Sequence, residues 1–235
     1  MNNIDEIVCI SLDISENRRK HFQKYFSNMS YRFNLVKKHK KGGVYGCFHS
    51  HISIIKDAYK RNIENILVFE DDAKPTASLT NENLEEVNNF LKLNKNYDCF
   101  YLGCFAIGAK TNNLLITPFN SISKNIYKFN PLATHAIIYN RRGMKKILNN
   151  YKNFIGLCHY DIYLSRYAKL NNYCYFPILI DQNFNFEYNI EALNLFELVL
   201  RNLYPIIELF KINYNISVII FKIYLLINTY SRLFY

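Results

Sequence analysis

Apolar and polar positions alternate along this chain with a period that changes several times, and each change marks an element. Glu6–Leu12 (EIVCISL) reads as a first strand. Residues 13–17 are polar apart from Ile14, and Ser15 stands where it can cap a helix over residues 16–28. Residues 31–36 predict a second strand. Residues 37–41 are almost entirely cationic, and Gly42-Gly43 makes a flexible turn. From Gly46 to about Arg61, Phe48, Ile52, Ile55 and Tyr59 recur at helical spacing. Residues 65–69 predict a third strand and residues 83–93 a helix. Residues 98–102 read as a strand, and residues 113–129 hold short strands around Pro118. Residues 135–139 predict a strand, Arg141–Asn150 a basic helix and residues 160–168 a further helix. Residues 173–180 read as a strand interrupted by Pro177. Strands alternating with helices predict an α/β domain over residues 1–190, with a Rossmann-like, mostly parallel sheet.

The pattern changes after about Glu191. Residues 191–235 are dominated by Leu, Ile, Phe, Tyr and Val, with single bases at Arg201, Lys211, Lys222 and Arg232. The longest charge-free piece, residues 212–221, falls short of the ~20 apolar residues a bilayer span needs. Three arrangements stay open for this helical tail: lying on an anionic membrane surface, packing on the domain or on a second copy in a homodimer, and spanning a bilayer.

Composition narrows the partners. The 235 residues suffice for one large domain with a real core, and half of them are hydrophobic, which excludes a disordered chain. The formal net charge of +10 points to anionic partners without choosing among nucleotides, nucleic acid and lipid surfaces. The abundance of Tyr and Phe, with no Trp, fits codon bias and carries little functional weight. Cys9, Cys47, Cys99, Cys104, Cys158 and Cys174 form no C-x-x-C pair and no zinc-finger spacing, so buried free thiols in a reducing compartment are expected. The chain opens on polar and acidic residues without the form of a signal peptide, and a cytoplasmic location is the default expectation, with peripheral placement on the inner face of the membrane as a further option.

The third strand raises the chemical question. It ends in Glu70, Asp71 and Asp72, three consecutive carboxylates in a basic chain. Ligands of open α/β sheets bind beyond the carboxyl ends of strands. In an extended chain Glu70 and Asp72 point to one side and Asp71 to the other. Two acids on one side can hold a hard divalent cation, Mn2+ or Mg2+, with phosphate oxygens completing its shell. Such a cation would also relieve the repulsion among the acids. An acidic solvated turn is the plainer alternative.

Several stretches together resemble glycosyltransferase family 25, which includes lipooligosaccharide biosynthesis enzymes and collagen galactosyltransferases. The segment GCFHSHISIIK at residues 46–56 and ILVFEDDA at residues 66–73 carry the likeness. Ser11-Leu12-Asp13 with Arg18-Arg19, Thr134-His135-Ala136 with Arg142-Gly143, and Asp161 followed by Pro177 and Gln182 come in the family's order. Only residues 20–45 separate Arg19 from Gly46, where the family has a longer segment, and Ser11 replaces an asparagine.

The resemblance implies a GT-A-like fold, a nucleotide-sugar donor such as a UDP-hexose (galactose or glucose), and inversion at the anomeric carbon. It implies a glycan or glycolipid acceptor, as in lipopolysaccharide synthesis, and no nucleic acid. The metal falls to Asp72 with Glu70. Arg18, Leu12, Ser50, His51, Glu70 and Asp71 are then candidate donor contacts, with Arg19 divided evenly between a phosphate or base contact and an exposed helix charge. Asp161 is the candidate base that takes the acceptor proton, unless it caps the helix beginning at Ile162. His135 is a candidate catalytic group or a core histidine. Ser50 and His51 divide between substrate contact and helix packing, and Cys47 reads as a small packing residue. Two other readings compete: another metal-dependent phosphate enzyme, a nucleotidyltransferase or nuclease, and a non-catalytic membrane-associated binding protein.

Overall fold

A computed structural model describes residues 3–105 and 120–183. The apolar tail of residues 191–235 and the stretch around Pro118 lie outside the described residues.

β1 (Glu6–Leu12) leads into α1 (Glu16–Phe26), β2 (Arg32–Val36) and the long α2 (Gly43–Lys60). β3 (Asn65–Glu70) follows, then β4 (Ala73–Pro75), α3 (Asn81–Leu93) and β5 (Cys99–Phe105). The short β6 (Asn120–Ser121) and β7 (Ile126–Lys128) precede the nine-residue β8 (Leu132–Asn140) and α4 (Arg141–Asn150). α5 (Tyr160–Ile162) continues as a π-helical turn over Tyr163–Tyr167, before β9 (Asn172–Tyr175) and β10 (Ile180–Gln182).

Eight strands form one mixed sheet in the order β2-β1-β3-β8-β5-β9-β7-β6. β2, β1 and β3 are parallel neighbours, as are β5 and β9. β8 runs against both β3 and β5, and β7 against β9 and β6. Most strands therefore point one way, as expected, with β8 and β7 reversed. Reversal of β8 is not written in its residues: a strand buried on both faces carries the same apolar run in either direction.

Side chains alternate across the sheet and build a core on each face. Ile66, Val68, Ile137 and Tyr139 face one way and pack with Phe48, Ile52 and Ile55 of α2 and Met144 and Ile147 of α4. Leu67, Phe69, Ala136 and Ile138 face the other and pack with Phe22 and Phe26 of α1 and Val87, Phe90 and Leu91 of α3. The result is a three-layer α/β/α sandwich.

Local chemistry sets the boundaries. Gly42 at φ 92 turns the chain and lets α2 start three residues before Gly46. The Thr80 side chain accepts the Asn83 N–H, so α3 begins at Asn81. Ser15 stands at the N-cap of α1 but makes no side-chain cap bond. The strand expected over residues 173–180 is divided: β9 belongs to the large sheet and β10 pairs antiparallel with β4. All six cysteines are free thiols.

Candidate active site

β3 stops at Glu70, and a turn at Asp71-Asp72 ends the strict alternation of side chains. Asp71 and Asp72 therefore share a partner, contrary to the extended-chain expectation. Arg18, in the first turn of α1, places Nε 2.6 Å from Asp71 Oδ1 and Nη2 2.8 Å from Asp72 Oδ2. Planar guanidinium donors suit such a two-carboxylate clamp. Without any bound ion, then, the repulsion between these acids is already met by a cation from the chain itself. The second oxygen of Asp72, Oδ1, is buried and has no hydrogen-bond partner among the described residues. Burial first, then the Glu70 charge, push the Asp72 carboxyl up, to about 7, against the pull of Arg18.

Glu70 turns to the other neighbours. Thr134 Oγ1, on β8, donates to Glu70 Oε1 at 2.5 Å, and His51 Nε2 lies 3.3 Å from the same oxygen. The other ring nitrogen, Nδ1, lies 3.3 Å from the Tyr139 hydroxyl. The His51 ring also stacks on Tyr160, with centroids 4.7 Å apart. Burial works to raise the Glu70 carboxyl, but His51 and Thr134 outweigh it and hold it below the ordinary carboxylate range. His51, which the sequence leaves between substrate contact and helix packing, is fully buried and reaches Glu70 from within the core. Tyr139 was no candidate. Its signal is a phenol at a buried strand position, where the O–H needs a partner.

His135 follows Thr134 and so faces the opposite side of β8. It is 1% exposed, and its Nε2 lies 3.2 Å from the Ile180 carbonyl oxygen at the start of β10. Burial lowers its pKa, which keeps the ring neutral. Gly103 makes room for this contact: a Cβ there would stand 2.2 Å from both His135 Nε2 and Ile180 O. This enclosed place makes His135 a link between β8 and β10 rather than a group facing a cleft. β10 in turn lies on the carboxylate turn, with Gln182 opposite Ala73 and the Asn183 N–H donating to the Asp72 carbonyl at 2.7 Å.

Asp161 accepts from the Ala133 N–H at 3.1 Å and from the Ile162 N–H at 2.7 Å, and it remains partly exposed. It sits inside the first turn of α5, whose N-cap position is His159. Ala133 has φ 72, a left-handed backbone at the start of β8, and Asp161 secures its amide beside Thr134. Ser50 donates back to the Gly46 carbonyl at 2.7 Å, so its hydroxyl hydrogen serves helix α2. The Leu12 carbonyl accepts from Arg19 Nη1 at 2.5 Å and from the Ser15 N–H at 3.0 Å. Leu12 and Arg19 thus close the β1–α1 loop. The cationic segment carries a ring stack, His39 lying against both Tyr45 and His49 at centroid distances of 5.6 and 5.1 Å.

The fold thus gathers the carboxylates, Arg18, Thr134, His51 and Gln182 at the ends of β1 and β3, and it ties Asp161 to the adjoining start of β8. Residues 37–183 match the sequence model described as glycosyltransferase family 25 (LPS biosynthesis protein). No curated protein matches the sequence. Similar solved structures include A197 from STIV, with 12% identity and a TM-score of 0.46, covering 72% of this chain and 81% of that one. Another is a glycosyltransferase involved in glycosylation of the major capsid of PBCV-1, with 11% identity, a TM-score of 0.48 and coverage of 77% and 94%. A third is a mutant Drosophila β-1,4-galactosyltransferase 7 in complex with manganese, UDP-Gal and xylobiose, with 9% identity, a TM-score of 0.41 and coverage of 82% and 79%.

Proposed function

The chain belongs to glycosyltransferase family 25, and from that membership we propose that it moves a hexose from a nucleoside diphosphate sugar, UDP-galactose or UDP-glucose, to a glycan or glycolipid acceptor. That it is a glycosyltransferase follows from the family. A GT-A-like architecture and inversion at the anomeric carbon are part of the proposal. The observation that carries it is the buried Asp72 carboxylate, one oxygen on Arg18 and the other without a partner among the described residues, at the end of a parallel strand.

Asp72 and Glu70 offer the hard oxygen donors that Mn2+ or Mg2+ prefers, and the unpartnered Asp72 Oδ1 fits such an ion. When bound, a divalent cation offsets the charge that develops on a departing diphosphate. Arg18 orients Asp71 and Asp72 and brings a fixed positive charge to the diphosphate side. His51 and Thr134 hold Glu70 in its ionised form. Asp161 is the proposed base. Its two backbone bonds fix the carboxylate at the start of β8, where it takes the proton of an acceptor hydroxyl as that oxygen attacks. His135 has a positioning role, holding β10 against the carboxylate turn.

We further propose that residues 191–235 rest on an anionic membrane surface, the setting in which a glycolipid acceptor is met. The free cysteines support a reducing, cytoplasmic side for the enzyme.

Calorimetric titration with nucleoside diphosphates and nucleotide-sugars, with and without manganese, tests the donor site. Manganese-dependent UDP binding in wild type, lost in Asp72→Ala, is the expected result. Absence of binding by any nucleotide overturns the donor reading.

A further inference from the structure

Glu70 faces a second group of ligands, set apart from the cation position at Asp72. Cys47 Sγ, a nitrogen of His51 and a carboxylate oxygen of Glu70 all lie within 4.8 Å of one another. We propose that Cys47, His51 and Glu70 form a binding site for a thiophilic divalent cation, with Zn2+ as its natural occupant.

The local structure supports the geometry. Cys47 and His51 are one helical turn apart on α2, so their side chains share a face. Glu70 arrives from the end of β3. Ligands bound at ~2.0–2.3 Å with tetrahedral angles stand about 3.3–3.6 Å from one another. His51 Nε2 and Glu70 Oε1 are already 3.3 Å apart, and Cys47 Sγ lies within 4.8 Å of the ligand atoms of both residues. A ligating histidine needs its second nitrogen held from behind. Tyr139 supplies this at 3.3 Å from Nδ1, its oxygen accepting once Nε2 binds metal and the ring proton moves to Nδ1.

Charge and softness decide the occupant. A thiolate and a carboxylate together offset a divalent ion, which suits a partly buried site, and the imidazole adds no charge. The thiol gives up its proton when the metal binds, so one proton leaves per ion. Sulfur and imidazole donors favour Zn2+ over Mg2+ or Mn2+, whereas the all-oxygen position at Asp72 has the reverse preference. Three protein ligands leave a fourth position for water. Because Glu70 serves both positions, zinc here withdraws it from Asp72. That antagonism rests on the donor-site reading above, but zinc binding itself does not.

Cobalt(II) is the probe, added to the full chain after treatment with a chelator. Wild type is expected to show a sulfur-to-cobalt charge-transfer band and strong visible bands of tetrahedral cobalt, both displaced by Zn2+. Cys47→Ser should remove the charge-transfer band and weaken Zn2+ at least by the ~10–100-fold that even outer supports of a metal ligand carry. Asp72→Asn should keep the band. Circular dichroism confirms that each variant is folded. A wild-type spectrum without a thiolate band overturns the proposal, as does zinc affinity unchanged in Cys47→Ser. These readouts need no sugar transfer, so a failure to find a donor leaves them standing.

Discussion

Gly103 does its work by having no side chain. Its Cα faces the contact between His135 and the Ile180 carbonyl, and an added Cβ would overlap both at 2.2 Å. Backbone cannot yield as a flexible side chain does, so Gly103→Ala should cost about 1–3 kcal/mol by overpacking. Urea denaturation measures this loss, and nucleotide binding should weaken with it as β10 shifts from the Asp72 turn. Asp161→Asn asks a different question. If the carboxylate is a base, transfer should fall ~100-fold or more while donor affinity stays near wild type. An equal fall in both would reduce Asp161 to its bonds with Ala133 and Ile162. At this scale the sequence was a partial guide. The residue types of the site were legible, because three acids ending an apolar strand need an explanation. Their partners were not. Arg18 lies more than fifty positions from Asp71, and nothing local in either segment points to the other.

Helices and strands of normal length were legible because their periods repeat. β1 and α4 have the expected bounds, and α2 differs only in its first turn, which begins after Gly42. β4 and β10 were missed as a pair. Three residues are too few to show a period, and only their pairing with one another makes them strands. One helix has a role beyond its own packing. Glu86 on α3 accepts from Ser123 Oγ at 2.7 Å, Asn125 Nδ2 at 2.9 Å and the Tyr175 hydroxyl at 2.8 Å, joining the β6–β7 turn and β9. Partial burial works to raise its carboxyl, but these donors prevail and lower it below the usual 4.5. A depressed carboxylate stabilises the fold above its unfolded pKa and loses that contribution as pH falls through its folded one. The Tm difference between wild type and Glu86→Gln should therefore be largest above pH 4.5 and shrink below it. A difference constant with pH would assign the effect to packing.

Across the whole molecule, the sandwich explains why so much of the chemistry meets at one edge. β1 and β3 are parallel neighbours and end together, and the reversed β8 begins there, so three elements distant in sequence deliver side chains to one place. The net charge of +10 gives the protein a long-range pull on anions, and the apolar tail is expected to turn that pull into membrane attachment. Co-sedimentation with anionic vesicles should fall when residues 191–235 are removed, with neutral vesicles as the control. Retention of the shortened chain on anionic vesicles would move attachment to the α/β domain. The Arg18 clamp has a thermodynamic consequence as well. A cation settling on Asp72 Oδ1 competes for the carboxylate whose Oδ2 Arg18 already holds, so it weakens that pairing and leaves the guanidinium partly short of an anion. A diphosphate supplies that anion. Each ligand thus removes the obstacle to the other, and by linkage the help is reciprocal. Manganese alone and UDP alone should bind weakly, and each should bind more tightly, by the same factor, in the presence of the other. In Arg18→Ala that mutual gain should shrink, leaving two ligands that meet at one strand end without exchanging a counter-ion.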